Sequence, residues 1–384
     1  MPLRRLKLSR RYTLKHPSVY LDWYVHSCKV KHDLRSSGTA YFTHDVTLNQ
    51  VDLSANYDHG NPETAARLAE WYGTRPENVF ISAEGASGQN SRVVRCLAEK
   101  DRSRDEAIVE YPTYEPLLRT VQEHFEHVKR LERREEDAYR LDADQLAKLV
   151  SPKTALLALT NPHAPTGATM DTKELREMMA IARENHTYVL CDEIYAEFDR
   201  ESVPTLHSVD PEWAIVTTSF TKAYGLGGLK LGIALADVAV VDTLYEDVLY
   251  TVGNSPNVVQ LIAAELLAKN REKLERHKQR WISLKTQTQK WLEEKELEFC
   301  PNKAGVTYWV KTPIEDTHRW TNEWTIPKCS LAAVPGAFFL FKRGYELTRT
   351  SRVRLGLGNV NPDTQPLTAA LDTFETAMKT YRHG

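Results

Sequence analysis

The stretch Ser219-Phe-Thr-Lys-Ala-Tyr-Gly-Leu-Gly-Gly-Leu-Lys-Leu-Gly232 sets Lys222 on an apolar, glycine-rich turn straight after the hydrophobic run 214–218. A lysine in a partly desolvated pocket gives up its proton more readily, and the neutral amine can condense with an aldehyde to form a Schiff base. The plain alternative is a glycine-rich loop with a solvated lysine. A dinucleotide-binding turn fits less well, because Gly225-Leu-Gly227-Gly228-Leu-Lys230 lacks the third glycine of that fingerprint.

Around this stretch, short apolar runs recur at 79–82, 107–110, 155–159, 188–191, 214–218 and 229–234, separated by amphipathic stretches such as 172–185. Continuous apolar runs of this length alternating with helices predict an α/β fold with a mainly parallel central sheet covered on both faces. Most of the runs give way at once to polar or glycine residues: Glu84-Gly-Ala-Ser87, Tyr111-Pro-Thr-Tyr114, Asn161-Pro-His-Ala-Pro-Thr-Gly167, Asp192-Glu-Ile-Tyr195 and Ser219. Ligands of open α/β sheets bind beyond the carboxyl ends of the strands, so the chemistry is expected at one rim. The charged patch 130–137 reads as a solvated turn. A long helical stretch from Pro256 toward Trp291-Leu292 is expected to bridge two domains, and the runs 306–310 and 331–336 point to a smaller α+β domain. The expected division is a large domain over 46–275 and a small domain built from both termini, 1–45 and 276–384.

Composition narrows the function. A net charge of -2 gives no nucleic-acid footprint, and no run approaches the length of a membrane span. Five cysteines, with no C-x-x-C pair, point to a reducing compartment, and no metal site is expected. The head Met1-Pro-Leu-Arg-Arg-Leu-Lys-Leu-Ser-Arg-Arg11 is basic, but its apolar face is too poorly developed for a secretory or mitochondrial address. The reading is a cytoplasmic protein.

The Lys222 segment resembles the lysine signature of the class I/II aminotransferases, fold-type I enzymes that use pyridoxal 5'-phosphate. The likeness rests on Ser219, Lys222, Tyr224-Gly225 and the cation at Lys230. It implies that Lys222 is the catalytic lysine that holds the cofactor as a Schiff base. Asp192, at the end of an apolar run, would pair with the protonated ring nitrogen; read alone, it is also a good helix N-cap. Tyr195 would face the ring hydroxyl and Tyr114 would stack on the ring; both also suit plain packing aromatics. Gly85, Ala86 and Ser87 would open a helix onto the phosphate, helped by Ser219 and Lys230. Asn161 belongs to the same cofactor set. Arg354, in Arg352-Val-Arg-Leu-Gly356, would grip the substrate α-carboxylate with a planar fork that Arg352 matches less well, and Gly38 would add a backbone N–H. Tyr57 is a candidate to reach the phosphate of a partner subunit, since the family builds its sites at a homodimer interface.

Two positions depart from the family pattern. Ala164 stands where a second asparagine would bond the ring oxygen, leaving Tyr195, with His163 or water as substitutes. Lys230 replaces an arginine, keeping the charge but losing the fork. The resemblance therefore implies a cofactor-bound lysine that keeps its proton to higher pH, and a looser hold on the phosphate. The implied reaction is amino transfer between an amino acid and a 2-oxoacid. An alternative is elimination or cyclisation, because Asp22-Trp23 with Lys31-His-Asp-Leu-Arg-Ser-Ser-Gly38 and Tyr41-Phe-Thr43 resembles the head of capreomycidine synthases, which use the same cofactor to cyclise a hydroxylated arginine. A non-catalytic protein of the same fold is a third reading, which the intact site residues oppose. Trp23, Tyr41, Phe42 and Phe338 are candidate walls for the substrate side chain.

Overall fold

The computed structural model describes residues 17–40, 46, 52, 54–342, 344–360 and 367–381. Two sheets carry the fold. The strands, in chain order, are β1 (His32–Ser36), β2 (Val79–Ser82), β3 (Glu106–Tyr111), β4 (His127–Glu132), β5 (Thr154–Thr160), β6 (Tyr188–Asp192), β7 (Ala214–Thr218), β8 (Gly232–Leu235), β9 (Thr307–Lys311), β10 (Leu331–Pro335) and β11 (Arg352–Leu357). Among the described residues the large sheet has seven strands in the order β2-β8-β7-β6-β5-β3-β4. All its pairings are parallel except those of β8, which runs antiparallel to both β2 and β7.

Alternate residues of these strands feed two cores. Leu157, Val189, Val216 and Ile233 point into one, while Leu156, Leu190, Ile215 and Ala234 point into the other. Burial on both faces is why β5, β7 and β8 are largely aliphatic and carry no charged residue, with threonines only at the ends of β5 and β7. β4 is different. Residues 130–132 of the charged patch form the end of this strand, which correct the expectation of a turn. It is the edge of the sheet, and three of its partly buried positions hold Lys129, Arg130 and Glu132, as suits a strand with one unpaired side.

The smaller sheet has the order β1-β10-β11-β9, so an amino-terminal strand completes a sheet made otherwise of carboxyl-terminal ones. The expected bridging helix is two helices, Asn257–Lys269 and Arg271–Glu294, broken at Asn270. The expected domain division at residue 275 falls inside the second of them.

Four helices position the site: α1 (Val19–His26), α2 (Pro62–Tyr72), α3 (Gly85–Lys100) and α4 (Glu115–His124). α1 is too short to be stable by itself. It is pinned by the fully buried Glu115 on α4, whose carboxylate accepts from Val19 N (3.1 Å), Tyr20 N (2.7 Å) and Ser18 Oγ (2.7 Å) and pairs with Arg119 Nε at 2.9 Å. Ser18 Oγ in turn caps Leu21 N. Three helix N–H groups that would lack partners are thereby satisfied.

Glu115→Ala should lower the free energy of unfolding by about 3–5 kcal/mol in urea titration, because it strands the buried Arg119 charge and uncaps α1. Glu63→Ala, which breaks the exposed Glu63–Arg67 pair on α2, should leave the midpoint unchanged within error.

Candidate active site

The carboxyl ends of β2, β3, β5, β6 and β7 share one rim of the large sheet. β6 delivers Asp192 there, 6% exposed. Its carboxylate accepts from Asn90 Nδ2 (2.7 Å) and from Ile194 N (3.0 Å), and Asn90 is oriented by Thr217 Oγ1 at 2.5 Å. Among the described residues no Lys or Arg nitrogen lies within salt-bridge distance of it. Burial raises its pKa; the two hydrogen bonds and the positive charge of Lys222 act the other way.

Lys222 sits on the loop that joins β7 to its antiparallel neighbour β8. Its carbonyl accepts from Thr39 N and Thr39 Oγ1, both at 2.9 Å, and its Nζ lies 3.3 Å from Ser37 Oγ. Gly38 is needed here for clearance: a Cβ at this position would lie 2.7 Å from Lys222 Cδ. Burial, reinforced by the Arg354 and Lys230 charges and opposed by Asp192, lowers the Lys222 pKa to about 8.

α3 begins at the same rim. Gly85 takes φ +67°, and its N–H is spent on the carbonyl of Lys230 at 2.7 Å, so it is not a donor for a ligand. Lys230 itself adopts φ +56°, which delays β8 to Gly232, three residues beyond the expected start. The next N–H groups, those of Ala86 and Ser87, belong to a first helical turn with no side-chain cap. Ser219 is buried and its Oγ is 2.8 Å from Thr221 Oγ1, while Lys230 is exposed.

Tyr114 and Tyr195 are half-buried and close enough to influence one another's ionisation. Burial raises both phenol pKa values; Tyr114 hydrogen-bonds Ser87, and Tyr195 hydrogen-bonds Ser37. Asn161 is fully buried. Its Oδ1 accepts from Met170 N at 3.1 Å, but its Nδ2 has no partner. His163 does not substitute for the missing asparagine at Ala164, because Nδ1 is engaged by Thr166 Oγ1 (2.7 Å) and Nε2 by the Pro112 carbonyl (2.9 Å). Burial drives its pKa down, so the ring is neutral.

From the small sheet, β11 supplies Arg354, 3% exposed. Nη2 donates to the Arg35 carbonyl (2.7 Å) and to Tyr20 Oη (3.1 Å), Nε has no partner, and no carboxylate lies within salt-bridge distance among the described residues. Arg352 is committed elsewhere, to Glu135 and Glu298. Of the candidate walls, Trp23 and Phe338 are buried against each other, with ring centroids 5.1 Å apart, and Tyr41 and Phe42 lie outside the described residues. Among the described residues Gly38 N donates only to Ser36 Oγ, at 3.4 Å.

Asn90, Ser37 and Tyr20 were not singled out by the sequence. Asn90 had a signal: it lies on the face of α3 otherwise filled by Ala86, Val93, Val94 and Leu97, where a polar residue demands a partner. A cavity of about 650 Å³ lined by Trp71, Glu197, Tyr224 and Lys285 lies apart from these groups and contains neither Lys222, Asp192 nor Arg354.

The profile of the family "Aminotransferase class I and II" matches residues 52–367. An aspartate aminotransferase of Pyrococcus horikoshii is 25% identical over 303 residues, 73% of this chain and 74% of that protein. A histidinol-phosphate aminotransferase of Haloferax volcanii is 32% identical over 178 residues, 46% of this chain and 47% of its own length. The fold superposes on a crystal structure of a pyridoxal-phosphate-dependent aminotransferase from Streptococcus suis with a TM-score of 0.82 at 24% identity, over 96% of this chain and all of that one. It superposes on a Thermus thermophilus aspartate aminotransferase mutant with a TM-score of 0.80 at 20% identity, over 98% and 100% of the two chains. The chain belongs to the class I and II aminotransferases, enzymes that use pyridoxal 5'-phosphate to move an amino group between an amino acid and a 2-oxoacid.

Proposed function

We propose that the residues gathered at this rim form the aminotransferase active site, with Lys222 as its catalytic residue. One observation carries the reading. A buried carboxylate and a buried guanidinium, neither with an ion-pair partner among the described residues, flank a lysine whose pKa is lowered. Buried charges without partners are costly, so the arrangement suits ligands that bring the missing charges.

The donor set fits the cofactor. Asp192 would hold the protonated ring nitrogen, kept in place by Asn90, and Tyr114 would stack on the ring. Tyr195 would donate to the ring oxygen. The free Asn161 Nδ2 is a second candidate donor on the same side of the site. The Ala86 and Ser87 N–H groups at the start of α3, with Ser219 and Lys230, would meet the phosphate, where the helix dipole favours an anion. When bound, pyridoxal 5'-phosphate supplies an electron sink for the charge left when the substrate loses its α-proton.

The protein's own steps follow from the geometry. Arg354 binds the α-carboxylate, with Gly38 N as a further donor, and so fixes how the substrate sits. Lys222 Nζ, once neutral, takes the α-proton as general base and returns it as general acid. Ser37 steadies that amine at 3.3 Å. The side chain of the amino acid is unassigned.

We further propose a division into a large domain, 46–275, and a small domain built from 1–45 and 276–384, and a cytoplasmic homodimer with its sites at the interface. Tyr57 is 37% exposed, and Leu249, Tyr250, Val252 and Val258 leave apolar surface in water beside the segment that Asn61 binds through Asn257. All five cysteines are free thiols. Among the described residues no helix is long and apolar enough to cross a membrane.

Adding pyridoxal 5'-phosphate to cofactor-free protein, reducing with borohydride and mapping peptides should label Lys222. Lys222→Ala should lose the label and at least 1,000-fold in 2-oxoacid formation, on the order of what an activated amine contributes; label on another lysine defeats the assignment. Stability should report the same amine. Its pKa of about 8 in the folded protein, against 10.5 when unfolded, means the unfolded chain binds more protons between those values. Stability of the cofactor-free protein should therefore rise with pH through that window. In Lys222→Met this rise should shrink to the share that Lys285, also lowered to about 8 by burial, still contributes, with the variant more stable than wild type at pH 7 and the gap closing by about pH 10.5, as read from urea midpoints. Tyr250→Asp should shift the light-scattering mass from two chains to one; an unchanged mass counts against this face as the interface.

A further inference from the structure

The guanidinium of Arg354 is held in an unusual way for a group that receives a carboxylate. Nη2 carries two hydrogens. One goes to the Arg35 carbonyl at 2.7 Å and the other to the hydroxyl of Tyr20 at 3.1 Å. The first partner is backbone of β1 and is fixed. The second is a side-chain hydroxyl, which can accept or donate. Tyr20 is 5% exposed, and among the described residues its own phenolic proton has no acceptor.

The rest of Tyr20 is immobilised. Its backbone N–H is bonded to Glu115, and its ring packs against Tyr114 (6.2 Å between centroids), Phe338 (5.9 Å) and Phe339 (5.8 Å). Those contacts tie it at once to α4 beside Tyr114 and to the segment following β10. The hydroxyl therefore stands at the donor fork of Arg354 by construction.

We propose that Tyr20 is the third member of the substrate carboxylate clamp: it accepts from Arg354 Nη2 in the free enzyme and donates its phenolic proton to the carboxylate in the complex. The proposal rests on the reading of Arg354 as the carboxylate-binding arginine. An arriving carboxylate oxygen takes over the Nη2 hydrogen that Tyr20 held. The hydroxyl oxygen, no longer an acceptor, is then within reach of that same oxygen with a proton to give. No bond other than hydrogen bonds is made or broken. Because this contact is made equally before and during proton transfer, it belongs to binding rather than to turnover. It also selects against substrates that lack a carboxylate, for which Arg354 keeps its Tyr20 partner.

The test uses holoenzyme, and its probes are the fastest-reacting of the twenty common L-amino acids and the amine left by removing that amino acid's carboxyl group. Dissociation constants are read from the absorbance of the bound cofactor, alongside single-turnover rates. Tyr20→Phe should weaken the amino acid by roughly ten-fold or more, the scale of a hydrogen bond to a charged group. The limiting rate should stay within about two-fold, the sign of uniform binding, and amine binding should not move, while the melting temperature should fall because Arg354 loses one of its two acceptors. Equal losses for amino acid and amine would reduce Tyr20 to packing, and no loss for the amino acid would also overturn the proposal. Arg354→Met separates the underlying reading. It should erase the preference for amino acid over amine, and if that preference survives in Arg354→Met, the carboxylate lies elsewhere and the reading of Arg354 fails first.

Discussion

Two buried charges of opposite sign, Asp192 at the end of β6 and Arg354 on β11, lack ion-pair partners among the described residues, and Lys222 sits in the field of both. Coulomb interactions are strong in such a site and desolvation is severe, so each charge survives only because fixed dipoles surround it. For Asp192 those are the Asn90 amide and the Ile194 N–H. For Arg354 they are the Arg35 carbonyl and the Tyr20 hydroxyl. These are weaker partners than counter-charges. The fold thus holds the charges in position without neutralising them, which leaves each free to respond to a ligand.

That constraint explains the topology better than packing does. Asp192 ends β6 and Lys222 lies on the loop that follows its parallel neighbour β7, so the β6–β7 register brings the two to the same rim. Arg354 comes from the other sheet, and its head is held by residues of β1 and α1, far away in sequence. An amino-terminal strand in the small sheet is therefore functional as well as structural: β1 leads directly into Ser37 and Gly38, which touch Lys222. The same short segment steadies the amine and the guanidinium.

What could be read from the sequence follows from how local each signal is. The central strands were legible because burial on both faces forces largely aliphatic runs, and the rim was legible because most of the runs stop at a polar turn. β4 was not, since an edge strand is free to carry Lys129, Arg130 and Glu132 and so reads as a charged loop. The break at Asn270 was hidden because neither a glycine nor a proline marks it, and helix-forming residues stand on both sides. Lys222, Asp192 and Arg354 stood out by motif. Tyr20 could not, for its role depends on a contact 334 residues away. The φ of Lys230 was equally invisible, as was the bond from the Gly85 N–H to the Lys230 carbonyl.

The 161–167 turn shows how a family position can change without disturbing the fold. Its shape is held by groups other than the side chain at 164: Ala164 N donates to Thr160 Oγ1 (2.8 Å), Met170 N to Asn161 Oδ1 (3.1 Å) and His163 N to the Ala168 carbonyl (2.7 Å). His163 is locked by Thr166 and Pro112, and Thr160 is held by the buried Glu110, whose own pKa burial raises to about 7. A methyl group at 164 therefore costs the turn nothing, and the loss falls on whatever the turn faces. Of the side-chain donors on this turn, the Asn161 amide nitrogen alone among the described residues is buried without an acceptor. A buried donor of that kind costs about 1–3 kcal/mol unless something accepts from it. With a methyl group at 164, the unpaired buried donor that this turn presents among the described residues is the Asn161 amide.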